Sequence, residues 1–368
     1  DALAPPQAPL GVDAHVERSD SCATAPGLDT DGDGFPNGVD CNDCSPQINP
    51  GAFDYPGNAL DEDCDGSDAT ADAVECDRAL AMGSADPRDA ARAIGLCRFV
   101  TETSGQWGVV SARFVAADGS PGPASMSQVG MLPTLGSHAP LAGGAMFALS
   151  SGVARAPGQP GYTDGCDVLR EAPNGFPPGY PAESPACPGV RSGAAYDSAA
   201  LELRIRVPTN ARSLTFRSAF FTYEYPDYIC DEFNDFFVVL RESAGSWENL
   251  VRDMMGNPVS VNNAFLAACS PGRHGGRSFE CPLGRSFLAG TGYDGSASCG
   301  YDLFGAGDVG GSTGWLRTTT SVAPGTILTL RFAIWDSGDP DLASLAVVDA
   351  WEWEIEEAEI TETVPELI

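Results

Sequence analysis

The chain of 368 residues contains no lysine: its 20 basic residues are all arginine, set against 51 Asp and Glu, and the formal net charge is −31. Such a surface repels phosphate backbones and anionic headgroups, which disfavours nucleic acid and direct membrane binding and makes divalent cations the natural counter-charge. Histidine is scarce as well. His15, His138 and His274 all precede the G-x-S-x-G match at Gly310-Gly311-Ser312-Thr313-Gly314, whereas the hydrolase order needs a His after the Ser. There is no H-E-x-x-H and no P-loop. Paired carboxylates are plentiful, which keeps glycoside hydrolysis as a minor alternative, but in so acidic a chain abundance assigns no roles and a non-enzyme is expected. No apolar run approaches the roughly 18 residues that a membrane-spanning helix needs.

What the chain does have is 43 Gly, 29 Pro and 12 Cys, with only 19% charged residues. That composition points to many turns and long loops rather than helical bundles, and an even cysteine count among acidic loops fits an oxidising compartment. A secreted, extracellular or cell-surface protein is expected. The sequence opens at Asp1 with neither Met nor an apolar leader, as expected of a form from which a signal peptide has been removed.

The most informative stretch is Asp29 to Gly66, DTDGDGFPNGVDCNDCSPQINPGAFDYPGNALDEDCDG. Asp29, Asp31 and Asp33 alternate and are followed by Gly34, Asn37 and Asp40, so their oxygens can converge on a hard cation while Gly32 and Gly34 permit the bends. Asp61, Asp63 and Asp65, closed by Gly66, repeat the device. The first half of an EF-hand loop is matched, but Asp40 stands in place of the twelfth-position Glu and no helical pattern flanks the loop. Cys41, Cys44 and Cys64 are the expected braces. The alternative is a solvated acidic linker, which does not account for Gly at fixed offsets or for the internal cysteines. A copper or zinc site at Cys41-x-x-Cys44 is weaker, since hard carboxylates surround the thiols. On DTDGDG, DC, PGA and DEDCDG, the stretch resembles the MopE-type metal-binding motif of secreted bacterial proteins, and its first half is similar to a thrombospondin type 3 calcium repeat. Cys44 departs from that pattern, as does Pro56 where many members have Cys. The implied cofactor is Ca2+.

Around this stretch the chain falls into four parts. Residues 1–28, rich in Pro and Ala, read as an extended arm, either a plain linker or an arm that docks on another copy. Residues 29–68 are the calcium loops. Residues 69–100 read as a hairpin of two short helices, DATADAVECDRALAM and DPRDAARAIGLC, with Asp86-Pro87 as N-cap and first turn and Cys76–Cys97 as a staple. Residues 101–368 change to a period of two. Trp107–Val115, Leu201–Val207, Leu214–Tyr223, Phe236–Leu240, Thr326–Trp335 and Leu345–Ile355 read as strands, and Gly143–Gly152 has the apolar content of another. In LELRIRV, Glu202, Arg204 and Arg206 alternate with apolar residues; in WEWEIE, glutamates alternate with Trp351, Trp353 and Ile355. One wet face per sheet is expected, in a mainly β, antiparallel, jelly-roll-like β-sandwich. Cys166–Cys187, Cys230–Cys269 and Cys281–Cys299 are the pairings that loop placement suggests.

The blocks AYDSAALEL (195–203), FFTYEYPDYICDEFNDFFVVL (220–240), NPVSVNNAFL (257–266), GSTGWL (311–316), VAPGTILTLRFAIWDSGD (322–339) and VVDAWEW (347–353) resemble a choice-of-anchor L domain over roughly residues 101–357. The resemblance implies a β-rich bacterial surface or secreted protein with no established catalytic activity and, with the metal motif, a deltaproteobacterial exported protein. Within these blocks Glu224 and Asp235 flank one turn, and Asp336, Asp339 and Asp341 crowd another. If the strands bring the turns together, a second cation or an Arg must sit between them; alternatively each carboxylate caps its own turn. Tyr223, Tyr225, Tyr228, Trp315 and Trp335 are candidates for sugar stacking, with core packing favoured. The expected function is that of a calcium-binding structural or adhesive cell-surface protein, self-assembling into a homopolymer through the arm and the acidic tail after Trp353. The alternative is a monomeric adhesin that binds a surface polysaccharide.

Overall fold

The computed structural model describes residues 26–70, 76–164, 169, 173–262, 265–295 and 309–366. The chain divides into two compact units, up to Ala73 and from Val74 onward. The described part of the first unit, residues 26–70, is a run of turns and bends.

The second unit begins where the helical hairpin is expected, and among the described residues only its second half is helical. Residues 71–75 lie outside the described residues, and Cys76–Ala79 form a turn with Ala79 at φ 63°. The helix α1 spans Pro87–Ala93. Asp86 caps it by accepting from Arg88 N–H, Pro87 supplies the preset φ of the first turn, and the buried Ala90, Ala91 and Ala93 form its packed face. It stops at Gly95, whose φ of 101° suits glycine, and the Ile94 carbonyl accepts from Trp351 N–H. The Cys76–Cys97 disulfide is present.

The rest is β structure. Strands β1 (Gly108–Val115), β2 (Val129–Leu132), β3 (Met146–Ser150), β4 (Ala195–Arg206), β5 (Ser213–Thr222), β6 (Phe236–Ser243), β7 (Ser246–Asn249) and β8 (Val259–Ser260) are followed by a small hairpin, β9 (Gly272–His274) and β10 (Arg277–Phe279). Then come β11 (Gly311–Ser321), β12 (Ile327–Ser337), β13 (Ser344–Glu354) and β14 (Glu362–Pro365). One antiparallel sheet has the order β1-β4-β12-β6-β7 with β8 also on β6; the other has the order β14-β11-β5-β13-β3-β2. The chain changes sheet between β1 and β2, β3 and β4, β4 and β5, β5 and β6, β11 and β12, and β12 and β13. Phe216 of β5 meets Phe332 of β12 at 5.6 Å, so the two sheets pack face to face as a sandwich. Local chemistry fixes the tight corners: β6 and β7 join through Ala244-Gly245, at φ 50° and 79°, the conformation a two-residue hairpin turn demands.

The expected wet faces are largely covered. On the outer side of the first sheet, Phe236, Val238, Leu240, Ala333 and Trp335 form a second apolar cluster under Phe176, Tyr180 and Trp247. On the outer side of the other sheet, Ala219, Phe221, Tyr223, Leu345 and Val347 pack with loop residues such as Leu135, Leu288 and Tyr293. The Gly- and Pro-rich connections are therefore a third layer, placed there because both faces of FFVVL and LAVV are apolar. Glu202, expected in water, is buried instead. Arg331 pairs with it at 2.7 Å and Arg113 pairs with its other oxygen. Burial opposes its charge, but the two guanidinium groups outweigh burial and hold its carboxyl below the usual range. The simple alternation survives at the end of β4, where Arg204 and Arg206 are half-buried between the buried Leu203, Ile205 and Val207, and at the end of β13, where Trp351 and Trp353 are buried and Glu352 and Glu354 exposed; Ile355 lies past the strand and is half exposed.

Three expected disulfides are replaced. Cys187 pairs with Cys230, and Cys269 with Cys281, which rules out Cys166–Cys187, Cys230–Cys269 and Cys281–Cys299. Cys166 and Cys299 lie outside the described residues. The reason is topological: β9 and β10 fold back between Cys269 and Cys281 and bring their Cα atoms to 5.2 Å. The acidic tail returns to its own sheet as β14, where Thr363 and Thr361 hydroxyls meet those of Thr318 and Thr320 at 3.0 and 2.7 Å. The arm, residues 1–25 of it, lies outside the described residues.

Two outcomes follow from this packing. Phe216 is fully buried between Phe332 and Trp351, and Phe216→Ala is expected to lower the unfolding free energy by about 3–5 kcal/mol in urea titration with the slope unchanged. Asp349 is buried and accepts from Leu141 N–H at 2.6 Å; burial, with Asp77 adding, pushes its carboxyl from 3.8 up to about 7. A folded-state value above the unfolded one adds stability at low pH that is lost as pH rises from about 4 through about 7. Asp349→Asn, which keeps an acceptor for Leu141, is expected to flatten that slope by on the order of 1.4 kcal/mol per pH unit when unfolding is measured across this range.

Candidate metal centre

The N-terminal loops are organised by carboxylates acting on their own backbone. Asp29 accepts from Gly32 and Gly34 N–H at 2.8 and 3.0 Å, and those glycines take φ of 81° and 97°. Asp31 accepts from Asp33, Asp33 from Phe35 and Asp40 from Asn42, in each case through Oδ1. Each such bond turns the chain two residues on, which is how a run of alternating Asp curls without a helix or a strand. Asn37 closes the loop through its backbone, donating to Leu28 and accepting from Gly27.

The second Oδ atoms of Asp31, Asp33 and Asp40 are the chemically informative ones. All three are buried and have no hydrogen-bond partner, and the three side chains each place an oxygen within 4.8 Å of the others. Burial raises all three carboxyls above their usual range, with neighbouring acids adding to the effect, and Asp40 reaches about 6. Buried acceptors that face one another without a donor are a cost that a cation would turn into ligation.

Asp29, Asp31 and Asp43 form a second group within 4.8 Å, and Asp61, Asp63 and Asp65 a third. In the third, Asp61 accepts from Asp65 and Gly66 N–H at 3.0 and 2.9 Å, repeating the Asp29 arrangement 32 positions on. The Cys41–Cys64 disulfide ties the two halves together, and Asp40 lies beside it. Cys44 is disulfide-bonded as well. Neither Cys41 nor Cys44 therefore offers a thiolate, which removes the basis for a thiolate-held copper or zinc site.

Three participants escape a reading based on spacing alone. Asp43 sits between the cysteines and holds Thr30 through its backbone N–H at 3.0 Å and its hydroxyl at 2.6 Å. Glu62 is buried and accepts from Tyr55 N–H and from the Asn58 amide. Asp54 accepts from Glu62 and Ala69 N–H and is pushed up to about 7 by burial and by Glu62. Their signal in the sequence was only that each lies inside the cysteine-bearing run.

The remaining predicted ligands belong to the second unit, at the ends of strands. Glu224 follows β5, Asp235 precedes β6, and Asp336 lies near the end of β12; all three are 2% exposed or less. Asp235 accepts from Ser337 N–H at 3.0 Å and from the Ser344 hydroxyl at 2.7 Å. Asp339 caps Asp341 N–H, as the alternative reading of that turn expected. The serine of the G-x-S-x-G match, Ser312, is fully buried in β11 with its hydroxyl accepting from Gly314 N–H.

Residues 40–69 match the family model Cu-binding MopE, described as "Putative metal-binding motif". The match takes in Asp40, Cys41, Asp61, Asp63, Cys64 and Asp65 and leaves Asp29, Asp31 and Asp33 to its N-terminal side. No curated protein and no solved structure matches the chain. The metal-binding motif and the disulfides together fit a secreted metal-binding protein.

Asp33→Asn and Asp40→Asn each take one negative oxygen from the group with unpartnered atoms. Each is expected to weaken metal binding about tenfold or more, or ~1.4 kcal/mol, in isothermal titration, with the circular dichroism spectrum unchanged.

Proposed function

We propose that the chain is a secreted, calcium-binding structural protein of a bacterial cell surface, working through its surfaces and not through a reaction centre. The observation that carries this reading is the set of buried, unpartnered oxygens on Asp31, Asp33 and Asp40. The donors are carboxylates, residues 26–70 contain no His and no Met, and the cysteines nearest the group are oxidised. Hard oxygen donors of this kind select calcium over copper.

The blocks that resemble a choice-of-anchor L domain coincide with β4, β5 to β6, β11, β12 and β13, the strands that carry the sandwich. That agreement supports a surface protein of that class. Self-assembly is the finer proposal. Copies carrying a charge of −31 repel one another, so association would require divalent cations between them as well as within them. Tyr223, Tyr225, Trp315 and Trp335 are buried and Tyr228 is half-buried, so this set of rings gives the polysaccharide-binding alternative no exposed platform.

Electron microscopy of the protein with calcium and after chelation, with bound metal quantified on the same samples, tests the reading. Ordered polymers that loosen as calcium is removed are expected, and deletion of residues 1–28 is expected to abolish them while the monomer stays folded. Copper retained in preference to calcium would overturn the metal assignment; monodisperse particles in both conditions would overturn self-assembly.

A further inference from the structure

We propose a second cation site, inside the sandwich, formed by Glu224, Asp235 and Asp336. It is independent of the N-terminal loops and lies in the other unit.

The three carboxyls are 2%, 0% and 1% exposed. Neither oxygen of Asp336 has a hydrogen-bond partner, and the same holds for Glu224 Oε2 and for the buried Ser337 Oγ. Burial raises both Glu224 and Asp336 well above their usual range; Asp235, Asp336, Asp339 and Asp231 push Glu224 further up, and Asp235 and Asp197 do the same to Asp336. No arginine is among them, although this sheet does place Arg331 and Arg113 on Glu202 farther along. Where the fold buries a carboxylate among side chains of the opposite charge, the pair is made; here it is not.

A proton on each acid is the other way to remove the charge. A protonated carboxyl then has an O–H that must find an acceptor. Asp336 and Asp235 lie within reach of sharing one such proton, which answers part of the charge, but Glu224 Oε2 still has no partner, at about 1–3 kcal/mol for such a group. A calcium-sized cation takes the carboxylate oxygens as ligands together. The cluster is more open than the N-terminal loops, not being among the acidic groups that close to within 4.8 Å, so binding would draw its side chains together.

The position gives the site a structural consequence. Asp235 and Asp336 belong to the sheet of β6 and β12, whereas Glu224 follows β5 of the facing sheet, and Ser344, which holds Asp235, opens β13. A cation here would tie the two sheets together at one end of the sandwich.

The test counts bound calcium on the full chain after dialysis and follows thermal unfolding. The comparison is between the natural sequence, a loop variant carrying Asp31→Asn, Asp33→Asn, Asp40→Asn and Asp61→Asn, and that variant with Asp336→Asn added. The loop variant is expected to keep one calcium per chain and a melting temperature that calcium raises; adding Asp336→Asn is expected to remove both. Glu224→Gln, which changes charge at constant shape, gives the same reading should Asp336→Asn fail to fold. A loop variant that binds no calcium, or calcium binding unchanged by both Asp336→Asn and Glu224→Gln, would overturn the proposal.

Discussion

Uncompensated carboxylate charge is the constraint on which the rest of this structure depends. With 51 acids, 20 arginines and no lysine, most carboxylates cannot have a basic partner. The structure deals with them in several ways. Some, such as Asp29 and Asp61, are held by backbone N–H groups of their own loop. A few are paired with arginine, as Glu202 is between Arg331 and Arg113 and as Glu352 and Glu366 are at Arg217. Many others face solvent, and a few are buried together with oxygens left over; those few are the places where a cation has most to offer. Ordinary stability and metal binding are thus two consequences of one imbalance.

Disulfides and apolar layers supply what a small share of regular structure does not. In the first unit, Cys41–Cys64 closes 23 residues of turns in which hydrogen bonds come largely from side-chain carboxylates. Such loops have little apolar area to bury, so cross-linking of the unfolded state matters more there than in the sandwich. In the second unit the order is reversed. Two sheets pack through Phe216 and Phe332, and a coat of loops buries Trp335, Phe236 and Phe221 on their outer faces. Cys187–Cys230 and Cys269–Cys281 then fasten parts of that coat and not the sheets themselves.

The same layering explains why sequence reading succeeded for some residues and not for others. Strands with a strong period of two, such as β4, β5, β12 and β13, were legible because alternation is a local property. β11 was not read as a strand, since GSTGWLRTTTS mixes Gly with Thr and its apolar content is low; it is central because β5 and β14 pair with it on either side. The Asp29–Gly66 loops were legible because Asx turns and Gly bends act within five residues. Asp43, Asp54 and Glu62 were not, as each bonds a backbone 7 to 15 positions away.

By itself, then, the sequence determined the chemistry of short range: a mainly β domain, acidic oxygen-donor loops braced by cysteine, and a surface that turns away phosphate and favours divalent cations. Only the tertiary structure decided which cysteines meet, that both faces of each sheet are largely covered, and that Asp31, Asp33 and Asp40 end with buried oxygens and no donor. It also decided that Glu224, Asp235 and Asp336, which span more than a hundred positions of the chain, come to share one buried end of the sandwich. Spacing sets where a side chain can point within a few residues; burial and the absence of a partner are set by which strands pair, and that choice depends on the whole chain at once.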